Sequence, residues 1–143
     1  MNEPIRTIDE ERDIVEIRIP CKAEWVALAR LSVAAVASRL HFSIDEIEDV
    51  KLAVAEACTN AIQHAHGSPN IEIKCEAVPD GLRIAVRDHG RGTRPETIRS
   101  RNIEDERVGG LGVFLIRSLM DDVTYDVNPE NGTHLVMLKR LPA

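Results

Sequence analysis

SIDEIEDVKLAVAEACTNAIQHA, residues 43–65, reads as one long amphipathic helix. Ser43 followed three residues later by Glu46 is a capping-box signature. Ile44, Ile47, Val50, Val54, Ala57 and Ala61 then recur at the spacing of a single helix face. Upstream, Ile14 to Ile19 sets Val15, Ile17 and Ile19 against Glu16 and Arg18, which is strand periodicity. Pro20 breaks that run, and Glu24 to Leu40 carries Trp25, Leu28, Leu31, Ala35 and Val36 at helical spacing. Downstream, Gly67 to Asn70 is a turn, and Ile71, Ile73, Cys75 and Ala77 alternate with polar residues as far as Pro79-Asp80-Gly81. Leu82, Ile84 and Val86 alternate again, so the pair predicts a hairpin. Asp88 to Gly110 is poor in apolar residues and predicts a mobile loop, with a helical turn near Pro95 to Arg99. Gly110 to Met120 predicts a short helix, and Val123–Val127 and Thr133–Lys139 predict two strands joined at Asn131 and Gly132.

This order of elements is not the regular βαβ alternation of a doubly wound sheet. It predicts an α+β fold, a two-layer sandwich with a mixed, mostly antiparallel sheet covered by helices on one face. A length of 143 residues suits one domain, 1–143, with residues 1–12 frayed. Aromatic residues make up 3% of the chain, too few for stacking platforms on single-stranded nucleic acid. A net charge of -6 opposes direct nucleic-acid binding, which draws on clustered Lys and Arg, and favours a protein or small-molecule partner. No stretch approaches a membrane span, and the polar, acidic MNEPIRTIDEERD start is unlike a signal peptide, so the expected location is cytoplasmic. Cys21, Cys58 and Cys75 are odd in number and widely spaced, and read as buried free thiols.

Three clusters carry polar chemistry. In EACTNAIQHA, Glu56 and Asn60 lie one turn apart on one face of the long helix, as a functional pair or as its solvated edge. In DHGRG, Asp88 closes a strand and Gly90 and Gly92 follow. That arrangement suits an amine donor and a close-lying ligand, and equally a plain turn. In GGLG, Gly109, Gly110 and Gly112 open a helix. They either expose amides to an anion such as phosphate or form a hinge. Neither GxxxxGK[ST] nor GxGxxG is completed, so P-loop and Rossmann readings are disfavoured, and His64 and His66 lack further ligands at zinc spacing.

Taken together, these clusters resemble the signature boxes of the GHKL (Bergerat) ATPases. EACTNAIQHA is similar to the N box, DHGRG to the first glycine box, GGLGVFLIRSLMD to the second, and Asn131–Thr133 to the terminal Gly-Thr element. The run from EWVALARLSVAAVASRL through NAIQHA further resembles the anti-sigma serine kinases of the RsbW and SpoIIAB type, and the likeness covers roughly Ile14 to Arg140.

The resemblance implies ATP and Mg²⁺ as cofactors, with Asn60 as the metal ligand and Glu56 as catalytic general base toward a serine hydroxyl. Asp88 would recognise the adenine amino group with support from Thr133, while Gly90, Gly92, Gly109, Gly110 and Gly112 let the chain wrap the nucleotide. Residues 93–109 would form the ATP lid, which is rich in arginine here: Arg94, Arg99, Arg101 and Arg107. Arg107 is the candidate for the γ-phosphate. The implied partners are a sigma factor and an anti-anti-sigma (STAS) protein as phosphorylation substrate, with a homodimer suggested by the Trp25, Leu28 and Leu31 stripe. The competing readings are an ATP-gated binding module without transfer and a related kinase outside any sigma pathway.

Overall fold

The computed structural model describes residues 13–65, 67–90, 109–128 and 132–142. The long helix, α2 (Ile44–His64), follows α1 (Val26–Ala37) in the chain. It begins where the sequence places it. The Ser43 side chain accepts from the Glu46 N–H at 3.1 Å, and Glu46 Oε1 accepts from the Ser43 N–H at 2.8 Å, so both halves of the capping box are made. Val50, Ala53, Val54, Ala57, Cys58 and Ala61 form its buried stripe.

Five strands make one sheet: β1 (Ile14–Pro20), β2 (Asn70–Val78), β3 (Gly81–Asp88), β4 (Asp122–Asn128) and β5 (Gly132–Arg140), in the order β1-β2-β3-β5-β4. Every pairing among them is antiparallel, so the sheet is not mixed as the sequence suggested. The reason is topological. Helix α3 (Gly109–Leu119) carries the chain from β3 to β4, which run in the same direction, and β5 inserts between them.

One face of the sheet buries Ile19, Ile71, Ile73, Cys75, Leu82, Ile84, Val86, Leu135 and Met137 in a core shared with Val33, Val50, Val54 and Ile116 of the helices. The other face is polar. Arg18, Glu72, Arg87, His134 and Asp126 are successive register partners across all five strands, a row in which cations and anions largely alternate. Cross-strand pairs of this kind stabilise a face that no helix among the described residues covers.

The first helix departs from its expected form. Ala23–Trp25 is a separate 3-10 turn, and α1 closes through i→i+3 bonds from Arg39 to Val36 and from Leu40 to Ala37. Its buried face is Ala29, Val33, Val36 and Ala37, while Trp25, Leu28 and Leu31 are exposed. Small residues on the inner face let α1 lie close to α2 and turn the larger ones outward. The cysteines are free. Burial pushes the Cys58 thiol up to about 12 and Cys75 to about 11, so both are inert at neutral pH, whereas Cys21 is only partly buried. Among the described residues no helix is long and apolar enough to cross a membrane.

Ser43→Ala should remove the capping oxygen without touching the core. It is expected to lower the unfolding free energy by ~1 kcal/mol in urea denaturation. An unchanged midpoint would mean that the capping box adds nothing to α2.

Candidate active site

Asp88 ends β3 and is 4% exposed, the one buried charged residue among the described residues. Its Oδ1 accepts from the Gly90 N–H at 3.1 Å and from the Thr133 N–H at 3.3 Å, so one oxygen ties the exit of β3 to the start of β5. Among the described residues both of these bonds fall on Oδ1, which leaves Oδ2 for a donor from outside. Two glycines make the corner possible. Gly132 has φ +105, and a β-carbon there would overlap the Asp88 carbonyl oxygen. A β-carbon on Gly90 would stand 2.8 Å from the Ala65 carbonyl carbon, because the exit of β3 passes directly over the exit of α2. Burial raises the Asp88 pKa above its usual 3.8. The two backbone N–H groups and the positive charges of His89 and Arg87 offset part of that rise.

The second half of the site is built on α2. Glu56 and Asn60, one turn apart and partly buried, both reach the N-terminal turn of α3. A β-carbon at Gly112 would lie 3.1 Å from both Oδ1 and Nδ2 of Asn60 and 3.2 Å from Glu56 Oε1. Glycine at 112 therefore lets the carboxylate, the amide and the opening of a helix meet without an intervening side chain. A carboxylate can accept a proton, an amide oxygen suits a hard cation such as Mg²⁺, and a helix N-terminus attracts phosphate.

A family model for the histidine kinase-like ATPase domain matches residues 19–139. Over 144 aligned positions the chain is 41% identical to Serine-protein kinase RsbW of several Staphylococcus aureus strains, Newman among them, covering 92% of this chain and 89% of the relative. The chain belongs to the RsbW family of histidine kinase-like ATPase domains. The fold agrees with that of the RsbU and RsbW domains of a Mycobacterium tuberculosis protein, at a TM-score of 0.69 and 17% identity. That match covers 92% of this chain and 34% of the other. A blue-light activated histidine kinase of Erythrobacter litoralis shares the fold at a TM-score of 0.57 and 19% identity, over 86% of this chain and 62% of its histidine kinase domain chain.

Within this RsbW-type fold, Glu56, Asn60 and Gly112 come together at one end of α3, and Asp88, Gly90 and Thr133 come together at the ends of β3 and β5. Gly109 and Gly110 lie in the first turn of α3. Gly92, Asn131, His66 and the arginines Arg94, Arg99, Arg101 and Arg107 fall outside the described residues, as does the expected 93–109 lid apart from Gly109. Two residues escaped selection from sequence. Gly132 was read as part of a turn and of the Gly-Thr element but given no role of its own, and Ser68, whose Oγ accepts from the His89 N–H at 3.1 Å, gave no signal beyond that of a turn residue.

Because the folded state holds Asp88 with a raised pKa, it binds its proton more readily than the unfolded chain does. Stability from this group is thus greatest below 3.8 and is lost as pH rises through the folded-state pKa. Asp88→Asn keeps an oxygen for Gly90 and Thr133 but carries no charge. In the nucleotide-free protein its melting temperature should exceed that of wild type at pH 7, with the gap narrowing as pH falls toward 3.8. A gap that stays constant with pH would rule out this penalty.

Proposed function

We propose that this chain is an ATP-dependent protein-serine kinase that also acts as an anti-sigma factor. It would hold a sigma factor and phosphorylate a serine of an anti-anti-sigma STAS protein. The observation that carries the reading is the convergence of Glu56 and Asn60 on the backbone at Gly112. An ATP-gated module without transfer would not need a carboxylate one turn from the amide at the mouth of a helix.

Asp88 Oδ2 accepts from the exocyclic amine of adenine, while Oδ1 stays bound to Gly90 and Thr133. The opening of α3, free of side chains at Gly112, approaches the phosphates through its amides. Asn60 offers Oδ1 as a hard oxygen ligand, and the cradle at Gly112 leaves that oxygen uncovered by any β-carbon. Asn60 would hold Mg²⁺ through that oxygen, and the ion would supply charge neutralisation to the phosphates. Glu56 would accept the proton of the substrate serine hydroxyl as its oxygen attacks the γ-phosphorus, while the bond from that phosphorus to the β–γ bridging oxygen breaks and ADP leaves. Phosphoryl transfer needs mainly positioning and electrostatic stabilisation, so a fixed carboxylate and a fixed amide on one rigid helix suit it.

Glu56→Gln preserves size and most hydrogen bonding while removing the proton acceptor. ATP and both protein partners should bind with near wild-type affinity, and transfer to the STAS serine should slow at least about tenfold, since general-base catalysis contributes ~10² to 10⁴. Transfer at the wild-type rate would exclude Glu56 as base. Absence of transfer by the wild-type protein would favour the ATP-gated module.

The exposed stripe on and before α1 supports a homodimer. Trp25, Leu28 and Leu31 are 42%, 44% and 65% exposed, and they do not face the sheet. Light scattering should give about twice the chain mass of 15.9 kDa. A single-chain mass across micromolar concentrations would exclude the dimer.

A further inference from the structure

We propose that Ser68 is a positioning residue for purine recognition, fixing the exit of β3 so that Asp88 Oδ2 points at the exocyclic amine of the base. This rests on the adenine role proposed for Asp88. Ser68 lies in the turn between α2 and β2, just after Gly67, whose φ of +80 lets the chain reverse as it leaves the helix. The hydroxyl has one proton, which it donates to the Asn70 carbonyl at 2.7 Å. That bond turns a lone pair toward the His89 N–H, which it accepts at 3.1 Å across 21 residues of sequence. Ser68 therefore stitches the exit of α2 to the exit of β3.

The stitch falls between the two residues that set the carboxylate. On one side is Asp88, and on the other is Gly90, buried against Ala65, with its N–H on Asp88 Oδ1 at 3.1 Å. Without the Ser68 oxygen, the N–H of His89, an exposed residue, would turn to water, so little folding stability should be lost. What is lost is the fixed angle between Gly90 and Asp88, which determines where Oδ2 points. Ser68 touches no nucleotide in this scheme and acts through Asp88.

The test compares two nucleotides, each with Mg²⁺, by calorimetry on wild type and Ser68→Ala. One is ATP and the other is purine riboside triphosphate, which lacks only the exocyclic amine. Wild type should prefer ATP, and Ser68→Ala should bind ATP roughly three- to tenfold more weakly, the size of one lost hydrogen bond. It should bind the amine-free nucleotide as tightly as wild type does, which also shows that the variant is folded. Equal losses for both nucleotides, or no loss for ATP, would overturn the role of Ser68. A wild-type protein without preference for ATP would instead remove the adenine role of Asp88, and this proposal with it.

Discussion

A carboxylate buried to 4% exposure is costly unless its oxygens are bonded, and the structure answers that demand in part at Asp88, with two backbone amides on Oδ1. Much of the local geometry follows from this constraint. Residue 132 must be glycine because φ is +105 and the Asp88 carbonyl occupies the space of a β-carbon. Residue 90 must be glycine because the chain has to turn back over Ala65 for its N–H to reach Oδ1. The ends of β3, β5 and α2 are thus drawn to one point by a single buried carboxylate whose charged form burial disfavours. Carboxylates perturbed in this way cluster at functional sites.

Helix α2 is the common support for both halves of the site. Its inner stripe of Val50, Ala53, Val54, Ala57, Cys58 and Ala61 fixes it to the core. Its flank carries Glu56 and Asn60 to α3, and its C-terminal end carries Ala65 to the Asp88 corner. Side chains on one rigid helix keep their mutual distance, which is what a reaction governed by positioning requires. α3 in turn is held at its far end. Lys139 Nζ donates to the Leu119 carbonyl at 2.6 Å and lies 3.7 Å from Asp49 Oδ2 of α2. A cation at the helix C-terminus complements its dipole.

Much of this was legible in the residues alone. The period of 3.6 in 43–65 and the alternation in 71–86 reported elements whose faces are set by burial, and the glycine-rich clusters in their order identified the family resemblance. The capping box was readable because both of its partners lie within four residues. The first helix was less legible. Periodicity reports that apolar residues share a face but not which of two apolar faces is buried, and Trp25, Leu28 and Leu31 lie on the exposed one.

What the sequence determined by itself is therefore local: the helices and strands, the order of the motifs, the spacing of Glu56 and Asn60, and through these the fold class and family. Tertiary structure alone decided which distant groups meet. The insertion of β5 between β3 and β4 places Thr133 on Asp88 across 45 residues, and the turn after α2 places Ser68 on His89 across 21. Such contacts arise from strand order and from one chain segment crossing over another. Both depend on closing long loops around a shared core, and no local pattern of residues records them.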